Sequence, residues 1–457
     1  MVSSETDLDR ECVMRDAVTA VLVHGEEVFV IKRQDYLRAF PGYYAFPGGK
    51  VDDEDAGYDY SHPQITEFKP ERSRALIREL DEELGFDLEQ ALEQDQVERI
   101  ELMGIAITPS FEHVRFHAHY YKIVLKSKPA FRPDSNEIAW SDWLHREAFL
   151  ARYESGEGLM VIPVMRTARA FAKDLTTSVI EPFNLDYDEN RELAYLEMIR
   201  GLGYIPTRSN TLPPAEYTYA LIIGDGAAPR YLVDPAPASD EILDRMFNTL
   251  ERYPVDGILI THHHRDHHER SPEIARQLGL PMLCSRKTRE RLLACNGTDY
   301  LDGIEIVHVE EGTRLTQWLG RDVHCYELPG HDDGMIGLAP TDMSWFFVSD
   351  LVQPLATVVI PEPEGNMQDY FDTLQRIIDL QPRAIVSSHG IPIGGTHLLE
   401  KTLQHRQERE AQIRTRLEQG DDLNQIVKRL YRGINQKLIP LAEQNVRQHL
   451  RKLGHRI

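Results

Sequence analysis

Residues 259–270 read "LITHHHRDHHER", with five histidines and one aspartate between 262 and 268. Imidazoles this close repel when charged and gain little by packing on one another. A metal ion supplies the reason, because it needs several neutral nitrogens at one point. The pattern also constrains the fold. His262 and His264 stand two residues apart, so a strand end presents them on one side. Asp266 and His267 follow in a turn. The remaining ligands have to arrive from other segments, and strand-like runs supply them. "YTYALIIG", "RYLVDP", "DGILITHHH", "VHCYELPGH", "MSWFFVSD" and "RAIVSSHG" each end in a polar or metal-competent residue. A sheet fixes loops that can then converge. His331, Asp350 and His389 lie at such ends. With the H-x-H-x-D-H run they account for two ions bridged by a carboxylate. His263 and His268 are left over and read as supporting or solvated side chains.

A second group is built from oxygen. "RELDEELGF" (78–86) places Glu79, Glu82 and Glu83 at i, i+3 and i+4, on one helical face. Three like charges there destabilise a helix unless a cation neutralises them. Mg²⁺ or Mn²⁺ does so, with a diphosphate completing the shell. Leu76, Leu80 and Leu84 form the buried stripe, and Gly85 stops the helix. Arg78 is placed to pair with a glutamate.

The two groups fall in different parts of the chain, and 457 residues suffice for two or three domains. "AVTAVLVHGEEVFVIKR" predicts two strands joined at Gly25, and "HVRFHAHYYKIVL" another. Periodicity weakens over 155–215, where Pro, Gly and Asn gather. This places a domain at 1–185, a linker at 186–205, a second domain at 206–398 and a helical extension at 399–457. No basic-apolar leader opens the chain, and no run approaches a membrane span. Four cysteines without framework spacing read as reduced thiols of a cytoplasmic protein. A net charge of −23 disfavours general nucleic-acid binding. From Lys401 onward, however, 13 Lys and Arg face 6 Asp and Glu, a local +7. That tail reads as a solvated helical face, with docking of an anionic partner as the alternative.

The seven ordered ligands resemble the metallo-β-lactamase fold hydrolases over roughly 200–395. The resemblance implies an αββα sandwich. It implies one ion on His262, His264 and His331, and a second on Asp266, His267 and His389, with Asp350 bridging. Asp234 matches that family's early structural aspartate. The expected ions are two Zn²⁺, or Mn²⁺ or iron. That family often has small glycines after the motif; here the chain reads His268-Glu269-Arg270, so the loop is expected to differ in shape. The tail "HRQERE … LYRGINQKLIPLAEQNVRQHLRKL" looks like the subfamily with a small C-terminal winged helix, which includes single-strand-selective endoribonucleases.

"FPGGKVDDE" (46–54) and "RELDEELGF" together resemble the Nudix box, over about 15–150. That implies an α/β/α sandwich with catalytic, Mg²⁺- or Mn²⁺-binding Glu79, Glu82 and Glu83. The first half is set by Gly48 and Glu54. The expected site also includes Gly49. Between the halves, 23 residues stand where the pattern has seven, so "DAGYDYSHPQITEFKP" is read as an inserted surface loop. "KRQDYLRAFPGYYAFPGG" is similar to the motif of coenzyme A diphosphatases, which implies phosphate binding by Arg33 and Arg38. Gln34 and Ile31 depart from that motif.

The expected protein is therefore a multi-domain α/β bifunctional hydrolase. Its first domain cleaves a diphosphate in CoA, acyl-CoA or another nucleotide. Its second hydrolyses a thioester or related ester, with Asp266 and Asp350 serving catalysis. Two alternatives stand beside this. One is an endoribonuclease acting on single-stranded RNA, with RNA-end diphosphates as the first domain's substrate. The other is a non-catalytic ligand sensor in one domain. No membrane partner is expected, and an oligomer is allowed.

Overall fold

A computed structural model describes residues 14–58, 60–112 and 114–455. The described residues form two compact units. One runs to Asp186 and takes back Leu196–Arg200; the other holds Tyr187–Tyr195 and everything from Gly201 on. The stretch expected as a linker thus carries strands. The chain passes between the units at short intervals there, and those strands bury their apolar side chains.

The first unit is built on a mixed sheet. Its strands are β1 (Arg15–His24), β2 (Glu27–Arg33), β3 (Tyr44–Ala45), β4 (Val97–Ile107), β5 (Phe116–Leu125) and β6 (Ile138–His145). Their order is β3-β2-β1-β5-β4, with β6 on β2. The strands β1 and β2 join at Gly25, which has φ 57°, a left-handed turn that glycine adopts without strain. The helix Pro70–Leu84 buries Leu76, Leu80 and Leu84 and ends at Gly85 with φ 60°. Those leucines, each worth about 2 kcal/mol on burial, fix which helix face points away from the core. The inserted loop is tethered rather than loose. Ile65 is buried, and Tyr58, Tyr60 and Phe68 pack against the core. The opposite sheet face is covered by helices Arg146–Glu154 and Ile162–Lys173. The second helix lies where sequence periodicity weakens: Pro163 and the Ala-rich run hide a helix whose buried side is Val164, Met165, Ala168 and Phe171. The strand β7 (Leu196–Ile199) also belongs to this unit.

The second unit has two sheets. The first contains β8 (Leu202–Arg208), β9 (Tyr217–Ile223), β10 (Tyr231–Val233), β11 (Gly257–Leu259), β12 (Met282–Cys284) and β13 (Ile306–His308), adjacent in that order. The last four run parallel, with β9 antiparallel to β10. The second sheet runs β14 (Arg314–Trp318), β15 (Arg321–Glu327), β16 (Ile336–Pro340), β17 (Phe346–Ser349), β18 (Ala384–Ser387) and β19 (Ile393–Gly394). Separate apolar clusters lie against the two sheets, under helices Asp240–Arg252 and Met367–Leu380. Helices His397–Glu418, Leu423–Leu430 and Ile439–Lys452 end the chain. No strand is found after Gly394 among the described residues. No described helix is long and apolar enough to cross a membrane. Cys284 and Cys325 are buried free thiols, and Cys295 is an exposed one. Cys12 lies outside the described residues.

Candidate metal centre and candidate diphosphate site

Each strand-end residue named above arrives at one place. His262 follows β11, His331 follows β15, Asp350 follows β17 and His389 follows β18. Asp234 and Ser349 bend the chain at two of these ends with φ of 50° and 48°, a left-handed backbone that costs a non-glycine residue roughly 1–3 kcal/mol. The surrounding hydrogen bonds hold that strain. Asp234 accepts from the Thr261 amide at 2.8 Å and the Thr261 hydroxyl at 2.6 Å.

The outer ring nitrogens are all engaged, which decides what the inner ones offer. His331 Nδ1 donates to the Val359 carbonyl at 2.7 Å, and His389 Nδ1 to the Tyr217 carbonyl at 2.9 Å. His267 Nδ1 donates to Asp234 Oδ2 at 2.9 Å, and His262 Nδ1 to the Thr261 hydroxyl at 3.1 Å. A carbonyl or carboxylate accepts only, so each such ring keeps its lone pair on Nε2. His264 is reversed: its Nε2 faces Glu364 at 3.3 Å, and its Nδ1 lies 3.0 Å from His262 Nε2 and 2.9 Å from His331 Nε2.

Beside a group of His263, His264 and Asp332, three ligand groups result: His262, His264 and His331; His262, His267 and Asp350; Asp266, His267 and His389. Asp350 stands between them. Its Oδ2 is 3.4 Å from His267 Nε2 and 3.9 Å from His331 Nε2, and its Oδ1 is 3.3 Å from His389 Nε2. Burial holds His331 down to about 4 and His262 well below the usual histidine range, so both rings are neutral ligands. Burial also disfavours charge on His267, but Asp350, Asp266 and Asp234 outweigh it and hold its pKa well above the usual range. Three carboxylates there call for positive charge. Two buried atoms, His267 Nε2 and Asp350 Oδ1, have no hydrogen-bond partner. Orphaned polar atoms of that kind cost about 1–3 kcal/mol each, and divalent cations satisfy both. The donor set therefore fits a dinuclear centre.

The two leftover histidines support it. His263 Nδ1 bonds Asp332 at 2.5 Å, and buried His268 bonds the Tyr300 hydroxyl at 2.7 Å. Burial pushes His268 down to about 4. The missing glycines have a structural counterpart. Arg270 itself adopts φ 63° before the helix Ser271–Leu278, and its guanidinium pairs with Asp240.

In the first unit the glutamates do not converge equally. Glu83 is buried and accepts from the Gly48 amide at 3.0 Å. Burial lifts its pKa to about 8, and burial also raises Glu79. Glu82 is largely exposed and is held by Arg78 at 3.0 Å. No ligand group within 4.8 Å contains all three glutamates among the described residues. The two glycines are forced by crowding. A Cβ on Gly48 would lie 2.2 Å from the Val18 carbonyl, and one on Gly49 would lie 2.2 Å from Glu79 Oε1.

Glu54 follows Asp53 in a short turn. It is exposed, and the side chain that reaches Arg78 is its neighbour Asp55, buried and bonded at 3.1 and 3.2 Å. The short 3-10 turn Asp53–Asp55 rotates Asp55 inward, which spacing alone does not reveal. Arg33 lies close enough to Glu83 to pull its pKa down, while Arg38 is exposed. Sequence reading missed Glu137, just ahead of β6, whose charge raises both Glu79 and Glu83. Only the strand pairing of β2 with β6 brings it there. A third cluster, Asp16, His117 and His119, has its carboxylate taken by Arg72 at 2.7 Å and reads as an ion-pair network.

Residues 13–161 match the NUDIX domain, 213–389 the Metallo-beta-lactamase superfamily and 423–456 the Beta-lactamase associated winged helix domain. The chain is similar to a "Beta-lactamase-like protein 2 homolog" of Drosophila melanogaster, 28% identical over 56% of this chain and 87% of that protein. It is also similar to a "Hydroxyacylglutathione hydrolase" of Bdellovibrio bacteriovorus, 26% identical over 38% of this chain and 64% of that protein. Among solved structures, a beta-lactamase domain protein from Burkholderia ambifaria aligns at TM-score 0.49 and 17% identity, covering 60% of this chain and 91% of that one. A NUDIX hydrolase from Alicyclobacillus acidocaldarius aligns at TM-score 0.31 and 21% identity, covering 38% of this chain and 100% of that one.

Proposed function

We propose that this chain, a metal-dependent hydrolase joining a NUDIX domain to a metallo-beta-lactamase superfamily domain and an associated winged helix domain, cleaves two bonds of CoA-type substrates. The second domain hydrolyses a thioester. The first cleaves a nucleoside-linked diphosphate, with CoA or acyl-CoA as the substrate class. The observation that carries the thioester half is the inward aim of His262, His264, His267, His331 and His389 around Asp350. These residues would hold two Zn²⁺ ions, or Mn²⁺ or iron, which would lower the pKa of a water and polarise the carbonyl. The chain's own part is positional. Asp234, Thr261 and the Val359 and Tyr217 carbonyls fix the tautomers, and Asp350 joins the two halves. The similarity to a protein named for acylglutathione hydrolysis supports a thioester over a phosphodiester.

In the first domain, Glu79, Glu82 and Glu83 would hold Mg²⁺ or Mn²⁺, which would neutralise the diphosphate. Gly48 and Gly49 let the backbone pack tightly against the glutamates, and Arg33 brings a positive charge to them. In the basic tail Lys401, Arg414, Lys428, Arg432 and Lys437 are exposed, so RNA stays in the test below. Arg406 is buried, and Arg429, Arg447, Arg451 and Lys452 are paired with carboxylates.

The test is a screen of the purified full chain with CoA, acyl-CoAs, acylglutathiones and single-stranded RNA. Thioester turnover with CoA cleavage supports the reading. RNA cleavage without thioester turnover replaces it. Arg38→Ala then separates the phosphates: a larger loss on CoA than on dephospho-CoA assigns Arg38 to the 3′-phosphate. Losing one charge-assisted contact costs about 1.5–3 kcal/mol of binding.

A further inference from the structure

The loop 358–365 has neither helix nor strand, yet it supplies outer partners to two of the three histidines in one half of the centre. Its Val359 carbonyl accepts from His331 Nδ1 at 2.7 Å. Its buried Glu364 faces His264 Nε2 at 3.3 Å. The loop's own backbone is satisfied by the last helices of the chain. Asn445 Oδ1 accepts from the Ile360 amide at 2.9 Å. Gln448 Nε2 donates to the Pro361 carbonyl at 3.1 Å and to the Gly365 carbonyl at 2.9 Å. Arg406, from the helix His397–Glu418, donates to the Val358 carbonyl and stacks over Tyr370. Arg451 pairs with Glu362 at 3.1 Å. Asn445, Gln448 and Arg406 are all nearly fully buried.

Buried amides and a buried guanidinium are expensive unless they are satisfied. Here their partners are backbone groups of a loop with no sheet ladder, so they take the place of that ladder. The other half of the centre is supported differently. His267 leans on Asp234 after β10, and His389 on the Tyr217 carbonyl at the start of β9. Neither partner lies on the clamped loop.

We propose that the C-terminal helices set the cation affinity of the His262, His264 and His331 half of the centre, with Asn445 and Gln448 as positioning residues acting through the loop 358–365. The proposal rests on the reading of these histidines as ligands. Losing the clamp frees Glu364 and the Val359 carbonyl from register. His264 can then turn its Nδ1 away, and His331 can change tautomer. Outer partners of this kind are worth about 10–100-fold in metal affinity. The other half keeps its supports.

The experiment uses the full chain and Co²⁺ as a spectroscopic probe, in competition with a chelator. Wild type and His331→Ala come first, to assign the two equivalents. A wild type that takes up no Co²⁺ overturns the ligand reading itself. With two equivalents in hand, Asn445→Leu and Gln448→Ala are expected to weaken the equivalent lost in His331→Ala at least tenfold. The other equivalent stays within about twofold. Asn445→Asp keeps the acceptor for Ile360 and is expected to stay near wild type. Arg447→Ala, on the same helix but paired with Glu443, serves as the control. Circular dichroism and thermal melting establish that each variant is folded. Equal weakening of both equivalents, or no weakening of either, in a folded Gln448→Ala protein overturns the clamp.

Discussion

Asp234 Oδ2 accepts from His267 Nδ1 at 2.9 Å, and that one bond decides which nitrogen of a fully buried ring can meet a cation. The carboxylate is itself oriented by the Thr261 amide and hydroxyl. Asp234→Asn keeps the size but offers the ring either an oxygen or an amide donor. Metal affinity is expected to fall about 10–100-fold, chiefly in the half formed by Asp266, His267 and His389. Chelator competition on the full chain reads it. Unchanged affinity in a folded variant would mean that Asp234 serves only the turn after β10.

Asp350 lies within 4 Å of His267, His331 and His389. Asp350→Ala is therefore expected to weaken both ions together, whereas His389→Ala weakens one first. Elemental analysis of the wild type is expected to give two transition-metal equivalents per chain beyond those on the glutamates. Loss of a single equivalent in Asp350→Ala would remove its bridging role.

Much of the metal centre was legible because His262, His331, Asp350 and His389 follow strands, and strand ends show in sequence as apolar runs closed by polar residues. His331, Asp350 and His389 could be placed this way without any contact information. The supporting residues could not. Glu364 and the Val359 carbonyl sit on an irregular loop, and the residues that bond its Ile360, Pro361 and Gly365 backbone, Asn445 and Gln448, follow some eighty residues later on a helix that reads as ordinary and amphipathic. In the first unit the pairing of Asp55 with Arg78 depends on a three-residue turn, and Glu137 depends on which strand borders β2. The helix Ile162–Lys173 lies inside the stretch read as weakly periodic, and its Pro163 sits in the first turn, where proline is well tolerated.

The C-terminal helices carry a pH-sensitive group of their own. His449 is fully buried between Arg406 and Glu410 of the neighbouring helix, Lys452 of its own helix and the Phe371 ring. Burial first, then the Arg406 charge, hold its pKa down to about 4. An unfolded histidine titrates near 6.5. Between those values the unfolded chain binds the extra proton, so stability is full above pH ~6.5 and falls as the pH drops toward 4. The whole effect is at most about 3 kcal/mol. His449→Gln is expected to flatten this acid limb relative to wild type in urea melts from pH 7 to 4.5. Parallel pH profiles for the two proteins would exclude His449 as the source.

The two chemistries are expected to be separable. Glu79 and Glu83 belong to the first unit, and the histidines, Asp266 and Asp350 to the second, so each centre draws its ligands from its own unit. Sites that share no partners usually behave additively. Glu83→Gln keeps the side-chain size and removes a charge from a buried position that bonds the Gly48 amide. It is expected to abolish diphosphate cleavage and leave thioester hydrolysis within about twofold, well under 1 kcal/mol of barrier. Glu82→Gln, on an exposed side chain already paired with Arg78, is expected to cost less than Glu83→Gln. His264→Ala reverses the pattern, sparing the diphosphatase. Each variant is assayed on both substrates after circular dichroism establishes its fold. If Glu83→Gln silenced thioester hydrolysis in a folded protein, the two-centre account would fail. A single composite site using the glutamates and the histidines on one substrate would replace it.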